Sequence, residues 1–157
     1  MDASTVVELL RFLEELEVTV DGGWAVDALL REQTRPHDDL DIAIPHHQVP
    51  ALRSLLATRG YSEQARPDSW ECNFVLADAG GNRVDVHSYC FEPAYGIPYR
   101  PEHLTGRGVI DGVAVRCIAP EWLVKFHLGY EHDENDQHDV LLLCERFGIP
   151  VPDEYSA

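Results

Sequence analysis

The sequence predicts an α+β fold: a mixed sheet with helices packed on it and a short helical part at the C-terminus. Three observations on this 157-residue chain lead there. Apolar residues recur at helical spacing in several segments, short strand-like runs alternate with those segments, and glycine-containing turns separate pairs of strand-like runs. The length is about that of one domain, with a core 1–118 followed by a helical segment 119–157 expected to pack on it.

The elements follow in order. Val6, Leu9, Leu10, Leu13 and Leu16 predict an amphipathic helix over about 4–16. Residues 18–20 form a short strand, ended by the turn Asp21-Gly22-Gly23, and 24–31 reads as a second helix. After a loop containing Pro36, 40–44 is a strand closed by Pro45. Val49, Leu52, Leu55 and Leu56 mark another helix, stopped by Gly60. Segments 70–77 and 82–89 flank Gly80-Gly81 as an antiparallel hairpin, and Asp111-Gly112 centres a second hairpin over 109–118. Between the hairpins, 92–106 is a Pro/Gly/Tyr-rich loop of the kind that often carries function. Pro120 opens a helix to about 130, and a polar stretch 131–137 leads to a last helix over 138–147, ended by Gly148 and Pro150.

Composition narrows the function. Hydrophobic residues make up 45% and charged residues 25%, ordinary values for a globular protein. No apolar run approaches the roughly 18 residues of a membrane span, and the N-terminal residues lack the pattern of a signal peptide, so a cytoplasmic protein is expected. Cys72, Cys90, Cys117 and Cys144 are scattered without C-x-x-C spacing and read as reduced, structural thiols. Twelve basic and 28 acidic residues give a net charge of −16. Such a surface repels a phosphate backbone, which argues against nucleic acid, and suits a cationic small molecule; simple solubility is the alternative. Lys125 is the single lysine, so basic residues near acidic motifs stand out.

The acidic motifs carry the chemistry. On a strand, side chains alternate faces, so Leu40, Ile42 and Ile44 share one face while Asp39, Asp41 and Ala43 share the other. Two carboxylates side by side repel unless a cation lies between them, and Mg²⁺ takes one or two carboxylates together with substrate phosphates. In Arg-Val-Asp-Val-His (83–87), Asp85 and His87 share the face opposite Val84 and Val86. If that strand neighbours the first, Asp85 completes a three-carboxylate cluster able to support one or two metals. Upstream, Gly22-Gly23 lies between a strand and a helix, where the backbone can approach a phosphate and helix N–H groups favour an anion. Each part alone has an ordinary structural explanation; the order of strand, Gly-Gly, helix, Asp-x-Asp strand and later Asp strand is far more specific.

These residues resemble the nucleotidyltransferases with the DNA polymerase beta-like fold, in their small antibiotic-modifying branch. The resemblance spans nearly the whole chain. GGWAVDALL, QTRPHDDLDIAI, VDVH, GVAVRCIAPEWLVKFHLGYE and DQHDV all match motifs of the short-type lincosamide nucleotidyltransferases. Aminoglycoside 2″-nucleotidyltransferases resemble the first half and VRC. The resemblance implies Mg²⁺-dependent transfer of a nucleoside monophosphate from ATP or GTP to a hydroxyl of a lincosamide, with an aminoglycoside as the alternative acceptor. Protein-directed transfer of the toxin–antitoxin type and a non-catalytic nucleotide-binding module are further alternatives.

The resemblance also implies roles. Gly22 and Gly23 hold the triphosphate, Asp39, Asp41 and Asp85 bind metal, and Asp85 doubles as general base. Arg35 and His37 reach the triphosphate or pair with Asp38 or Asp27. Lys125 contacts nucleotide phosphate or lies along the surface. His87 is a base, a metal neighbour or a packed histidine. Asp136 and Asp139 match family acids, or favour a helix start. For the acceptor, Tyr89, Phe91, Tyr95 and Tyr99 supply apolar walls, while Glu92 and Glu102 meet an amine. A chain this short has little second domain to close a pocket, which points to a homodimer.

Overall fold

A computed structural model describes residues 1–156. Its strands are β1 (Thr19–Asp21), β2 (Asp39–Pro45), β3 (Ser62–Gln64), β4 (Asn73–Ala77), β5 (Arg83–Cys90), β6 (Tyr95–Gly96), β7 (Gly106–Ile110) and β8 (Val113–Cys117). Its helices are α1 (Ala3–Phe12), α2 (Gly22–Leu30), α3 (Val49–Ala57), α4 (Pro120–Phe126) and α5 (Glu134–Phe147). The strands form one mixed sheet in the order β3-β4-β5-β2-β1-β8-β7, with β6 added to β5. β2 runs parallel to β5 and antiparallel to β1, and β1 runs parallel to β8.

The predicted strand faces hold. Leu40, Ile42, Ile44, Val84 and Val86 are fully buried, in one core with Trp24, Leu52, Leu56 and Phe74. The acids of β2 and β5 lie on the other face, and α2 packs against β2, β7 and the C-terminal helices. α5 contacts both α2 and α4. The cysteines are free thiols, three of them buried. Among the described residues, no helix is long and apolar enough to cross a membrane.

Several boundaries differ from the sequence expectation, each for a physical reason. α1 stops at Phe12, not 16, because Leu13 and Leu16 enter the core from the following turn and so extend the apolar spacing past the helix. α2 starts at Gly22, two residues early, because the Asp21 carboxylate caps it by accepting the Gly22 N–H at 2.8 Å. α4 ends at Phe126, and Gly129 at φ +85° turns the chain. α5 starts at Glu134 within the stretch taken as a polar linker. Asp133 and Asp136 cap it reciprocally: each carboxylate accepts the other residue's backbone N–H, at 2.9 and 3.1 Å. β3 lacks any expected counterpart because all its residues are exposed and carry no apolar alternation.

Candidate active site

Strand register assembles the site. β1 pairs with β2 so that Asp21 stands opposite Asp41, and β2 pairs with β5 so that Asp41 stands opposite Asp85. Side chains directly opposite on adjacent strands lie about 5 Å apart at Cβ, so three carboxylates form a row across three strands. Asp39 joins the same face two residues from Asp41, with its carboxylate 4.0 Å from the Arg83 guanidinium. Asp41, Asp85 and His87 each offer a ligand atom within 4.8 Å of the others, and His87 Nε2 lies 3.5 Å from Asp85 Oδ1.

This row is electrostatically unfavourable by itself. Burial pushes the Asp41 carboxyl well above the ordinary carboxylate range, and the charges of Asp39, Asp21 and Asp85 push it further; Arg35 opposes them. Asp85 is raised as well, by burial first and by Asp39, while His87 pulls it back. Crowded, partly desolvated oxygens with excess negative charge fit a hard divalent cation. Asp41 and Asp85 supply the converging oxygens, and Asp39 flanks them.

The Gly-Gly pair fits its place with no room to spare. A Cβ on Gly22, at φ +59°, would lie 2.2 Å from Asp41 Oδ2. One on Gly23 would lie 2.5 Å from His37 Nδ1 and 2.6 Å from Arg35 Nη2. The start of α2 is thereby pressed against the carboxylates on one side and against two basic residues on the other.

Those two residues are held from behind. Arg35 donates from Nε and Nη2 to the two oxygens of Asp139, at 2.9 and 2.6 Å, joining the loop to α5. Asp139 is 1% exposed. His37 Nε2 is hydrogen-bonded to Asp27 Oδ2 at 2.5 Å, and Asp27 Oδ1 accepts both the Thr34 N–H and its hydroxyl. The His37 ring packs on Trp24. Lys125 is exposed on α4, with Nζ 4.0 Å from the centre of the Trp122 ring.

Beside the carboxylate row lies a cavity of about 380 Å³. Asp21, Asn73 and His87 give it polar groups, and Trp70, Ile97, Pro98, Tyr99 and Phe126 form its apolar wall. Tyr99 is buried and its hydroxyl donates to Asp21. Tyr89 lies behind Tyr99, edge-on to it and stacked on Phe91, with burial raising its phenol to about 12. Glu92 lines a neighbouring groove formed by residues 90–101. Glu102 is exposed on the short turn Pro101–Leu104 and lines neither space. His87 and Tyr99 thus meet at this cavity, while Tyr89, Glu92 and Glu102 stand outside it. Sequence reading missed Asp21, which it placed in a turn. The available signal was an acid ending a strand directly before Gly-Gly.

The Gly-Gly helix start beside the Asp-x-Asp strand, with a third carboxylate on the parallel neighbour, lies within a fold of the nucleotidyltransferase class. The model of the family described as aminoglycoside-2″-adenylyltransferase matches residues 3–143, and the chain belongs to this family of antibiotic-modifying nucleotidyltransferases. A 2″-aminoglycoside nucleotidyltransferase from Escherichia coli is 29% identical over 133 residues, which cover 79% of this chain and 73% of the relative. A lincosamide resistance protein from Staphylococcus haemolyticus is 25% identical over 146 residues, covering 84% of this chain and 88% of the relative. The solution structure of the antibiotic-resistance factor ANT(2″)-Ia shares the fold, with a TM-score of 0.77 over 94% of this chain and 86% of its own, at 22% identity.

Proposed function

We propose that this enzyme transfers a nucleoside monophosphate from ATP or GTP to a hydroxyl of a lincosamide antibiotic and so inactivates it. The observation that carries the acceptor class is the cavity wall. Three aromatic rings, Ile97 and Pro98 face one carboxylate, Asp21. Lincosamides carry one basic amine on a partly apolar body, whereas aminoglycosides carry several amines and call for several anions. The aminoglycoside reading stands second, favoured by the family model, by the 29% relative and by the net charge of −16.

Asp39, Asp41 and Asp85 would hold Mg²⁺. When bound, the ion neutralises charge on the phosphates and acidifies a hydroxyl it contacts. Gly22 and Gly23 let the triphosphate approach the start of α2. Arg35, anchored by Asp139, supplies positive charge next to Gly23. The acceptor hydroxyl oxygen attacks the α-phosphorus in line, the bond to the bridging oxygen breaks, and pyrophosphate leaves. The hydroxyl proton passes to Asp85; a cation beside it lowers its basicity and compensates by acidifying the hydroxyl. His87, 3.5 Å away, would accept that proton in turn.

The test incubates the protein with ATP or GTP, Mg²⁺ and a mixture of lincomycin, clindamycin and tobramycin, and reads the products by mass spectrometry. A lincosamide heavier by one nucleotide unit is the expected outcome. Modified tobramycin alone transfers the function to the second reading. Labelled nucleotide on a protein band, with all three antibiotics unchanged, marks a protein-directed enzyme, and nucleotide binding without transfer marks a non-catalytic module.

A further inference from the structure

Asp21 is the one carboxylate among the described residues lining the cavity, and it ends the carboxylate row without joining Asp41, Asp85 and His87 in their convergent group. Both of its oxygens are oriented. One accepts the Gly22 N–H at 2.8 Å and the other accepts the Tyr99 hydroxyl. Two donors use two of about four acceptor positions on a carboxylate, so the group retains capacity for a further donor while its direction is fixed. It is paired with no cation: across the sheet it faces Asp41, and its negative charge is one of those that raise the Asp41 carboxyl. A cationic donor entering the cavity would relieve that repulsion.

The surroundings define the donor. Tyr99, whose hydroxyl orients Asp21, also presents its ring to the cavity, and Phe126 stands edge-on to it at 5.9 Å between centroids. Trp70, Ile97 and Pro98 complete a wall without charge. An ammonium on an apolar ring or chain can use both features, through a charge-assisted bond to Asp21 and aromatic contact with its substituents. A second or third ammonium on the same acceptor would meet that uncharged wall without a counter-ion.

We propose that Asp21, held by Tyr99, is the specificity-determining anchor for the protonated amine of a monoamine acceptor whose apolar part fills the aromatic cavity. This rests on the reading of the enzyme as an antibiotic nucleotidyltransferase and goes beyond it by naming the group that selects the acceptor. Asp21 anchors the acceptor and leaves phosphate and metal to Asp39, Asp41, Asp85 and the start of α2.

The experiment measures KM and kcat for the protein and for Asp21→Asn, with clindamycin and with its analogue in which an N-acyl group replaces the N-methyl, so that the ring nitrogen is a neutral amide. Losing one hydrogen bond to a charged group corresponds to a rise of roughly 10- to 100-fold in the clindamycin KM. The KM for the nucleoside triphosphate stays within about twofold, since uniform loss of acceptor binding leaves the other substrate untouched. The preference of the wild type for amine over neutral analogue collapses towards one in the variant. Tyr99→Phe, which keeps the charge and removes only its orienting hydroxyl, gives a smaller rise of the same kind and supplies the reading if Asp21→Asn does not fold. An unchanged clindamycin KM in both variants overturns the proposal, as does an equal loss on the charged and neutral acceptors. A wild type that turns over no antibiotic overturns the parent reading as well, whereas wild-type turnover with variants that keep the full preference for the amine overturns this inference alone.

Discussion

Two groups of aspartates flank the start of α2, and they are treated in opposite ways. Behind the Gly-Gly pair, Asp27 is matched to His37 and Thr34, and Asp139 to both prongs of Arg35. In front of it, Asp21, Asp41 and Asp85 stand in a row with no basic side chain among them except His87 beside Asp85. The rear pair makes a scaffold, in which each buried carboxylate has its hydrogen-bond donors in place. The front row is a deficit of positive charge, maintained by strand register, which a metal–nucleotide complex and a cationic acceptor can fill. Identical side chains therefore meet donors in one place and one another in the other, and the difference lies in what the fold sets opposite them.

The comparison is tested hardest at the front. Asp85→Asn keeps the shape and removes the proposed ligand and base, so turnover should fall by roughly a thousandfold or more, within the range seen when one member of a catalytic unit is lost. The circular dichroism spectrum should stay that of the wild type. Retained turnover would remove Asp85 from the chemistry. At the rear, Arg35→Ala should act through stability, because it leaves the buried Asp139 carboxylate without a partner. A cost of about 3–5 kcal/mol in chemical denaturation is expected. Arg35→Ala combined with Asp139→Leu should recover much of that stability while the KM for nucleotide stays raised, separating the structural part of Arg35 from its part beside Gly23. Full recovery of the nucleotide KM would make Arg35 purely a scaffold residue.

The same division explains what could be read from the chain. Asp39, Asp41 and Asp85 were legible because strand alternation places a residue on a face from local sequence alone. Asp21 was not, since its membership in the row depends on β1 pairing with β2 so that it meets Asp41. The Arg35–Asp139 fork spans 104 positions and leaves no local trace beyond two charged residues. His37 carried two open readings, and its bond to Asp27 joins residues ten positions apart across a loop. The start of α5 was readable in principle from Asp133 and Asp136, yet an unbroken polar stretch concealed the cap. Apolar periodicity erred in the other direction at α1, where Leu13 and Leu16 enter the same core without belonging to the helix.

A smaller effect sharpens the contrast through metal and pH. Mg²⁺ at about 100 times its dissociation constant should stabilise the protein by about 2.7 kcal/mol, and Asp41→Asn should abolish that gain. Without metal the same variant should be more stable than the wild type near neutral pH. The sign follows from the raised Asp41 carboxyl. Between the ordinary carboxylate pKa and the folded value, the folded state binds the proton that the unfolded chain has released, so stability falls as pH rises across that window. Asparagine has no proton to lose and escapes the penalty. A gain of about 1 kcal/mol corresponds to roughly 2–4 °C in Tm for a domain of this size. Metal-free melting curves at acidic and neutral pH should therefore diverge between the two proteins as pH rises. Parallel curves would mean that the front row is not a store of repulsion.

The smallest expected effect belongs to Lys125, which lies in neither region. Its ammonium rests over Trp122, and both the front row and the rear scaffold are built without it. An exposed cation–π contact contributes about 0.5–1 kcal/mol, so Lys125→Met should lower stability by no more than that. Steady-state kinetics gives the more telling reading. If the positive charge needed at the phosphates comes from Arg35 and the metal, the nucleotide KM of Lys125→Met should stay within about twofold, because removing a charge that does not meet the ligand removes no binding energy. A rise of tenfold or more, equivalent to about 1.4 kcal/mol, would require the lysine to leave Trp122 when nucleotide binds. The charge deficit at the front would then be met in part by a residue that the nucleotide itself recruits, and the boundary between scaffold and site would extend into α4.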